Sequence, residues 1–150
     1  MHENKVKAEN SDDLASSRLY CLRLIEFISS LGSDPHLYFQ HKLAADVSSA
    51  ENLADLMSLL SQLIDWVESA DLRSSQTIKL DKILTAEELP SFTLMRNSAK
   101  PESRRILAMG RVATEQEYCL IRDSVLCTQE ISNIDRKFIE RLLNTYESTG

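Results

Sequence analysis

Apolar residues recur along most of the chain with the spacing of an α-helix, in which one face repeats about every 3.6 residues. The clearest pattern runs from Ala50 to Ala70, where apolar positions cover about half of the helical circumference. So wide an apolar arc needs more than one neighbouring helix to cover it. The pattern therefore predicts a helix over residues 50–70 at the centre of the fold.

Capping residues and further periodic segments predict the other helices. Gly32 and Gly110 are placed to end two of them, and the Ser48–Glu51, Thr85–Glu88 and Thr114–Glu117 pairs have the spacing of capping boxes. The predicted segments are residues 11–31, a shorter helix after Asp34 and Pro35 that carries Leu37, Phe39, Leu43 and Val47, then 50–70, 104–109, 114–128 and 133–147.

Two segments do not fit the helical spacing. Residues 71–76 are polar and predict a loop, and Thr77 to Leu80 alternates in the manner of a short strand. Pro90 stops any helix that the Thr85–Glu88 box begins, because proline lacks the backbone N–H that a helix interior needs. Residues 91–101 are therefore expected to be irregular.

The composition fits this helical interpretation. Hydrophobic residues make up 43% of the 150 positions and charged residues 27%, which is near the average for globular proteins. We predict an all-α, single-domain bundle of five or six helices over residues 11–150, with one short strand near 77–80. Residues 1–10 are expected to form a disordered polar leader.

The sequence has no pattern that is typical of secretion or membrane insertion. The first 13 residues contain four acidic side chains and no apolar run, and no window approaches the roughly 18 uncharged apolar residues of a membrane span. The three cysteines, Cys21, Cys119 and Cys127, form no C-x-x-C pair and are interpreted as buried free thiols. We therefore expect a small soluble protein of the cytoplasm.

Familiar catalytic and cofactor motifs are absent from the sequence. The three glycines lie far apart, so no phosphate-binding loop or dinucleotide fingerprint is formed, and no Gly-x-Ser-x-Gly occurs. His36 and His41 are five residues apart, whereas a helical zinc pair prefers a spacing of four. We predict no cofactor, no metal and no catalytic residue, and an enzyme without a recognisable motif is the third functional interpretation.

The charge is unevenly distributed. The net charge is −6, yet residues 96–111 carry five basic side chains against Glu102 alone. These candidate anion-binding residues are Arg96, Lys100, Arg104, Arg105 and Arg111. Two of them lie near the start of a predicted helix, where a cation opposes the helix dipole. The segment is interpreted either as docking on the acidic surface of the protein itself or as binding nucleic acid or another polyanion.

Leu59 and Trp66 lie two turns apart at one margin of the apolar arc of residues 50–70. A stripe of Leu53, Met57, Leu60, Ile64 and Val67 can make the core contact without them. Leu59 and Trp66 are therefore candidate partner-binding residues, and the alternative is that a second helix covers them.

These observations favour a non-catalytic protein-interaction module: an acidic helical adaptor, inhibitor, chaperone or immunity-type protein. Its partner would be another protein or a second copy of the chain, and not a membrane. The second interpretation is a regulator that contacts nucleic acid or another polyanion through residues 96–111.

Overall fold

A computed structural model describes residues 2–31, 37–69, 72–98, 100–126 and 131–149. The predicted all-α class is confirmed, and these residues contain helices and no strand. Eight α-helices lie within the described ranges, which is more than the five or six predicted. They are α1 (His2–Ser30), α2 (Leu37–Ser49), α3 (Leu53–Ser69), α4 (Ser74–Ala86), α5 (Phe92–Asn97), α6 (Pro101–Met109), α7 (Glu115–Ile121) and α8 (Asn133–Thr149). A π-helical segment, Arg122–Leu126, follows α7.

The chain divides into two compact units, Met1–Gln76 and Thr77–Gly150. We call them the N-terminal unit and the C-terminal unit, and the boundary falls in the first turn of α4. Residues 2–10, which were predicted to be part of a disordered polar leader, have helical backbone and belong to α1.

The N-terminal unit is built on α1, which packs against both α2 and α3. Its buried side chains come from all three helices: Tyr20, Cys21, Leu24, Ile25, Phe27, Ile28, Leu43, Val47, Leu56, Leu60, Leu63, Ile64 and Val67. Two helices contact α3, and this accounts for its wide apolar arc. The buried stripe is centred on Leu56, Leu60 and Leu63, whereas Leu53 and Met57 are half-buried.

The junction between α2 and α3 differs from its prediction. Ser48 and Ser49 still belong to α2, and α3 begins only after Asn52, whose Oδ1 accepts the backbone N–H of Asp55 at 2.9 Å. The Ser48–Glu51 capping box was therefore the wrong assignment, because Asn52 serves as the N-cap instead. Asp34 and Pro35, which were predicted to begin the preceding helix, lie outside the described residues, as does Gly32.

The strand predicted at residues 77–80 was wrong, and the loop predicted before it was wrong from residue 74 onward, whereas residues 72 and 73 are not helical. Residues 74–80 belong to α4, in which Leu80 and Leu84 lie four residues apart and are fully buried. A spacing of four places both leucines on one helical face, whereas a strand alternates every second residue. Ile78 lies on the opposite face of α4 from these leucines and is exposed.

Residues 85–88 end α4 and do not begin a new helix. The backbone N–H of Leu89 bonds to the carbonyl of Leu84, and that of Glu88 bonds to the carbonyl of Thr85, both at 3.1 Å. This pair of bonds is a Schellman motif, which requires a left-handed residue at its penultimate position. Glu88 takes that position with φ of 62°.

Residues 91–101, which were expected to be irregular, contain α5. Ser91 is its N-cap, and the Ser91 hydroxyl accepts the backbone N–H of Leu94 at 3.0 Å. The sequence pattern did not predict α5 because proline usually stops a helix, whereas Pro90 lies just before the start of one. Two other boundaries are confirmed: Gly110 ends α6 in the left-handed conformation, and Thr114 caps α7.

The helices α7 and α8 and the π-helical segment pack on one another. The helical spacing of residues 133–147 predicts a core stripe of Ile134, Phe138, Leu142 and Tyr146, with Ile139 and Leu143 beside it. Phe138, Ile139, Leu142 and Leu143 are buried, but Ile134 is exposed. The segment of residues 114–128 is apolar on nearly every side, which predicts a largely buried helix, whereas α7 is largely half-buried.

Replacing Glu88 with glycine is expected to stabilise the protein. A non-glycine residue in the left-handed region costs about 1 kcal/mol or slightly more, and the exposed Glu88–Arg141 pair that would be lost contributes little. We expect Glu88→Gly to raise the free energy of unfolding by about 1 kcal/mol in urea denaturation. Glu87→Gly is the control and should lower it, because Glu87 does not have a positive φ. Equal effects of the two substitutions would contradict this account of the α4 C-terminus.

Candidate functional site

The side chain of Arg104 caps the C-terminus of α5. Its Nε donates to the carbonyls of Met95 at 3.2 Å and Ser98 at 2.8 Å, and its Nη2 donates to the carbonyl of Arg96 at 3.1 Å. The final carbonyls of a helix lack partners inside the helix and carry negative partial charge. The guanidinium therefore lies where the dipole of α5 favours a cation, and the conflict expected with the dipole of its own helix is relieved.

Arg105 forms an ion pair inside the C-terminal unit. Its Nη2 lies 2.8 Å from Oε2 of Glu117, and the other carboxylate oxygen of Glu117 accepts the backbone N–H of Ala113 at 2.8 Å. The Glu117 side chain is 14% exposed and that of Arg105 is 33% exposed. This contact joins α6 to the start of α7.

The remaining basic residues of segment 96–111 differ in exposure. Arg96 is exposed and lies over the ring of Phe92 at 5.7 Å from its centroid, Lys100 is exposed, and Arg111 is half-buried. The five residues therefore do not share one environment, since Arg104 and Arg105 are held by contacts within the protein. Anion binding by this segment stays a prediction.

Leu59 and Trp66, the predicted partner-binding residues, are both half-buried on α3. Leu59 borders a shallow hollow of about 460 Å³ at the junction of α2 and α3, together with Asp46, Glu51 and Asp55. Trp66 does not line this hollow. Their role in partner binding also stays a prediction.

A more enclosed cavity of about 230 Å³ lies between α4, α5 and the start of α8, within the C-terminal unit. We call it the α4–α5–α8 cavity. Among the residues that the structure describes, two large apolar side chains are classed as exposed, and both line this cavity: Ile78 is 54% exposed and Ile134 is 59% exposed. The other lining residues are Asp81, Lys82, Thr85, Ser91, Thr93, Leu94, Asn97, Ile131, Ser132 and Asp135.

Asp135 forms one side of the cavity and is only 3% exposed. Its Oδ1 accepts the backbone N–H of Ser91 at 3.0 Å, and its Oδ2 accepts the hydroxyls of Ser91 at 2.6 Å and Ser132 at 3.2 Å. Ser132 in turn accepts the backbone N–H of Asp135 at 3.2 Å and so caps α8. Three donated hydrogen bonds offset the cost of burying this carboxylate.

Asp81 makes the corresponding contact from α4. Its two carboxylate oxygens accept the backbone N–H of Thr93 at 3.1 Å and the Thr93 hydroxyl at 2.6 Å. Two aspartates from different helices therefore hold the first turn of α5 through both the backbone and the side chains of Ser91 and Thr93. The position of α5, and with it the shape of the cavity, depends on these bonds.

A smaller cavity of about 170 Å³ lies beside this one, and Thr85 and Ile134 border both. The neighbouring cavity adds Leu89, Phe138 and Arg141 as lining residues, with the Arg141 guanidinium 5.5 Å from the centroid of the Phe138 ring. The two cavities are therefore neighbours on the side of the unit where α4 and α8 lie.

Sequence reasoning missed this site for identifiable reasons. Ile78 was assigned to a strand and Ile134 to the core stripe of α8, so neither stood out as an exposed apolar residue. One local signal was available, since Ser132 and Asp135 have the spacing of a helix N-cap and its third residue. The pairing of Asp135 with Ser91, 44 residues away, had no local signal.

The cysteines and histidines are not gathered into a catalytic site within the described residues. Cys21 is fully buried in the N-terminal unit, and burial raises the pKa of its thiol to about 12. Cys119 was expected in the core but is half-buried, with Nη2 of Arg122 at 3.8 Å from its sulfur. His41 is exposed, whereas His36 and Cys127 lie outside the described residues or side chains. No cluster of metal-ligating side chains occurs in the part of the chain that the structure describes.

The contacts of Arg104 predict a stability effect. Arg104→Gln removes its hydrogen bonds to the α5 carbonyls and is expected to lower the free energy of unfolding by about 1–3 kcal/mol. Lys100→Gln removes the same charge from an exposed position and should change it by less than about 0.5 kcal/mol. Chemical denaturation monitored by circular dichroism compares the two, and losses of equal size would argue against the capping role.

Thiol reactivity provides a second check. The raised pKa keeps the Cys21 thiol protonated at pH 8, and its burial blocks access, so iodoacetamide should modify Cys21 only after denaturant is added. Cys119 is the internal comparison and should react faster in the native protein because it is half-buried. Peptide mapping by mass spectrometry measures both rates, and rapid native modification of Cys21 would contradict the packing of α1 described above.

No helix in the described residues has the length and apolar character needed to cross a membrane. Comparisons of the chain with protein-family models, curated proteins and solved structures find no match.

Proposed function

We propose that this chain is a non-catalytic protein-interaction module that binds its partner through the α4–α5–α8 cavity. The observation that carries the proposal is the exposure of Ile78 and Ile134 around a single cavity. Isolated apolar residues on a surface are common, but apolar side chains grouped around a concave site are typical of an interaction surface.

The size of the cavity favours a side chain of a partner over a cofactor. Pockets for cofactors and other small molecules usually enclose about 300–1,000 Å³, whereas this cavity encloses about 230 Å³. Protein interfaces are anchored by a few side chains that enter pockets of the partner surface. A cavity of this volume suits one such anchor.

The polar groups of the cavity favour a structural role over catalysis. The Ser91 hydroxyl donates to Asp135 and accepts the N–H of Leu94, and the Thr93 hydroxyl donates to Asp81. A serine that caps a helix is held in place by these bonds and is itself buried. These groups serve the position of α5, which supports the non-catalytic interpretation.

The two other surfaces identified from the sequence support binding less strongly. Arg104 and Arg105 are engaged within the C-terminal unit, which removes two of the five cations from the proposed polyanion contact. Leu59 and Trp66 are less exposed than Ile78 and Ile134, since both are half-buried.

The proposal is tested by replacing both exposed isoleucines. The double variant Ile78→Ser, Ile134→Ser should keep the stability of the isolated chain within about 1 kcal/mol, because surface substitutions cost about 0.5 kcal/mol or less each. Chemical crosslinking in the native host, followed by mass spectrometry, should recover a stoichiometric partner with the wild type and lose it with the variant. Sedimentation of the purified chain checks whether that partner is a second copy.

Leu59→Ser is the matched control from α3. It should retain the partner, although a half-buried leucine costs more stability when it is truncated. Partner recovery that is lost with Leu59→Ser and kept with the isoleucine double variant would place the interface on α3 and contradict the proposal.

A further inference from the structure

The α4–α5–α8 cavity contains two carboxylates that form no ion pair within the described residues. Asp81 and Asp135 accept hydrogen bonds from Ser91, Thr93 and Ser132 alone, and neither belongs to an ion pair among those residues. Lys82 is the basic residue of the lining, and its side chain is exposed. The cavity therefore keeps a negative charge in a partly enclosed space.

Both carboxylates retain capacity to accept further hydrogen bonds. An ionised carboxylate has about four acceptor positions on its two oxygens. Asp81 uses two of them for Thr93, and Asp135 uses three for Ser91 and Ser132. About two positions on Asp81 and one on Asp135 remain for an incoming donor.

These vacant acceptor positions disfavour a purely apolar occupant. An apolar side chain that fills the cavity would offer no hydrogen bond to either carboxylate, which is unfavourable for a charged group in an enclosed space. An anionic occupant would be repelled by the same two charges. An occupant with donors and positive charge at its tip satisfies them.

The walls of the cavity fit the remainder of such an occupant. Ile78 and Ile134 are branched apolar side chains at the exposed margin, and Leu94 is buried in the lining. Lysine and arginine carry a charged head on an apolar stem of methylene groups, which packs against apolar surface. Arginine is also among the residues enriched at the energetic centres of interfaces.

We propose that the α4–α5–α8 cavity receives an arginine or lysine side chain of a protein partner, with the methylene stem between Ile78 and Ile134 and the charged head at Asp81 and Asp135. The inference rests on the proposed function and specifies the chemistry of the partner. The partner is therefore a protein with an exposed basic anchor residue.

The direct test uses two small probes of similar length. Butylguanidinium chloride reproduces the head and stem of arginine, and 1-pentanol reproduces an apolar chain with an uncharged tip. Both are titrated into ¹⁵N-labelled full-length chain at constant ionic strength, and amide shifts are followed by NMR. Butylguanidinium should shift the amides of Ile78, Asp81 and Thr93 at concentrations at least about fivefold lower than 1-pentanol.

Three variants test whether the negative charge of the cavity is responsible for binding butylguanidinium. Asp81→Asn removes the charge at nearly constant size: the amide oxygen can still accept the backbone N–H of Thr93, and the NH₂ can donate to the Thr93 hydroxyl, which reverses that one bond. This variant should weaken butylguanidinium binding about fivefold to tenfold. Glu140→Gln removes the same charge from the exposed face of α8 outside the cavity and should leave binding unchanged. Lys82→Gln removes the competing cation and should strengthen binding.

The outcomes separate this inference from the proposed function. Equal binding of 1-pentanol and butylguanidinium, unaffected by Asp81→Asn or Lys82→Gln, would overturn the basic-anchor inference while leaving an apolar docking site. Failure of both probes to shift the cavity amides would also overturn it. The proposed function is tested by a separate measurement. It is contradicted if the Ile78→Ser, Ile134→Ser variant still recovers the partner.

Discussion

Two aspartates hold the first turn of α5 in the C-terminal unit, and the arrangement of three helices depends on them. Asp81 reaches it from α4 and Asp135 from α8, and each carboxylate accepts both a backbone N–H and a hydroxyl. The exposed N–H groups at a helix start need acceptors, and carboxylates are favoured there by the helix dipole. Since α5 has only six residues, these contacts and its buried apolar side chains fix its position more than its own backbone bonds do. The cavity walls follow from that position.

Several helix C-termini are capped by residues other than glycine in this chain, which contains three glycines. Gly110 provides the usual left-handed ending for α6, whereas α4 uses Glu88 in the same conformation. Arginine side chains serve two other helices: Arg104 bonds to the last carbonyls of α5, and Arg18 donates to the carbonyls of Val47 and Ala50 at the end of α2. Part of the positive charge of this acidic protein is thereby committed to helix ends and not to the surface.

Local and long-range determinants explain how much of this structure could be predicted from the sequence. The all-α class, the wide apolar arc of α3 and the boundaries at Gly110 and Thr114 follow from periodicity and capping, which are properties of neighbouring residues. The prediction that this helix is central was wrong, because α1 is the helix that packs most extensively against both others in the N-terminal unit. The α4 error arose because Thr77 to Leu80 matches a strand as well as a helix over four positions. The site was missed because exposure of Ile134 depends on which helices pack against α8, and because Asp135 meets Ser91 only in the folded chain. No spacing rule within the sequence encodes either fact.

Ser91 and Asp135 are separated by 44 residues in the sequence, so the two sides of their hydrogen bond are synthesised at different times. Protein synthesis proceeds from the N-terminus at about 5–20 residues per second, so α4 and α5 are synthesised before the residues of α8 that complete the cavity. A contact of long sequence separation also forms late in folding, because its loop-closure entropy is lost before the contact is gained. The cavity is therefore complete only after α8 has been synthesised and has packed against α4 and α5.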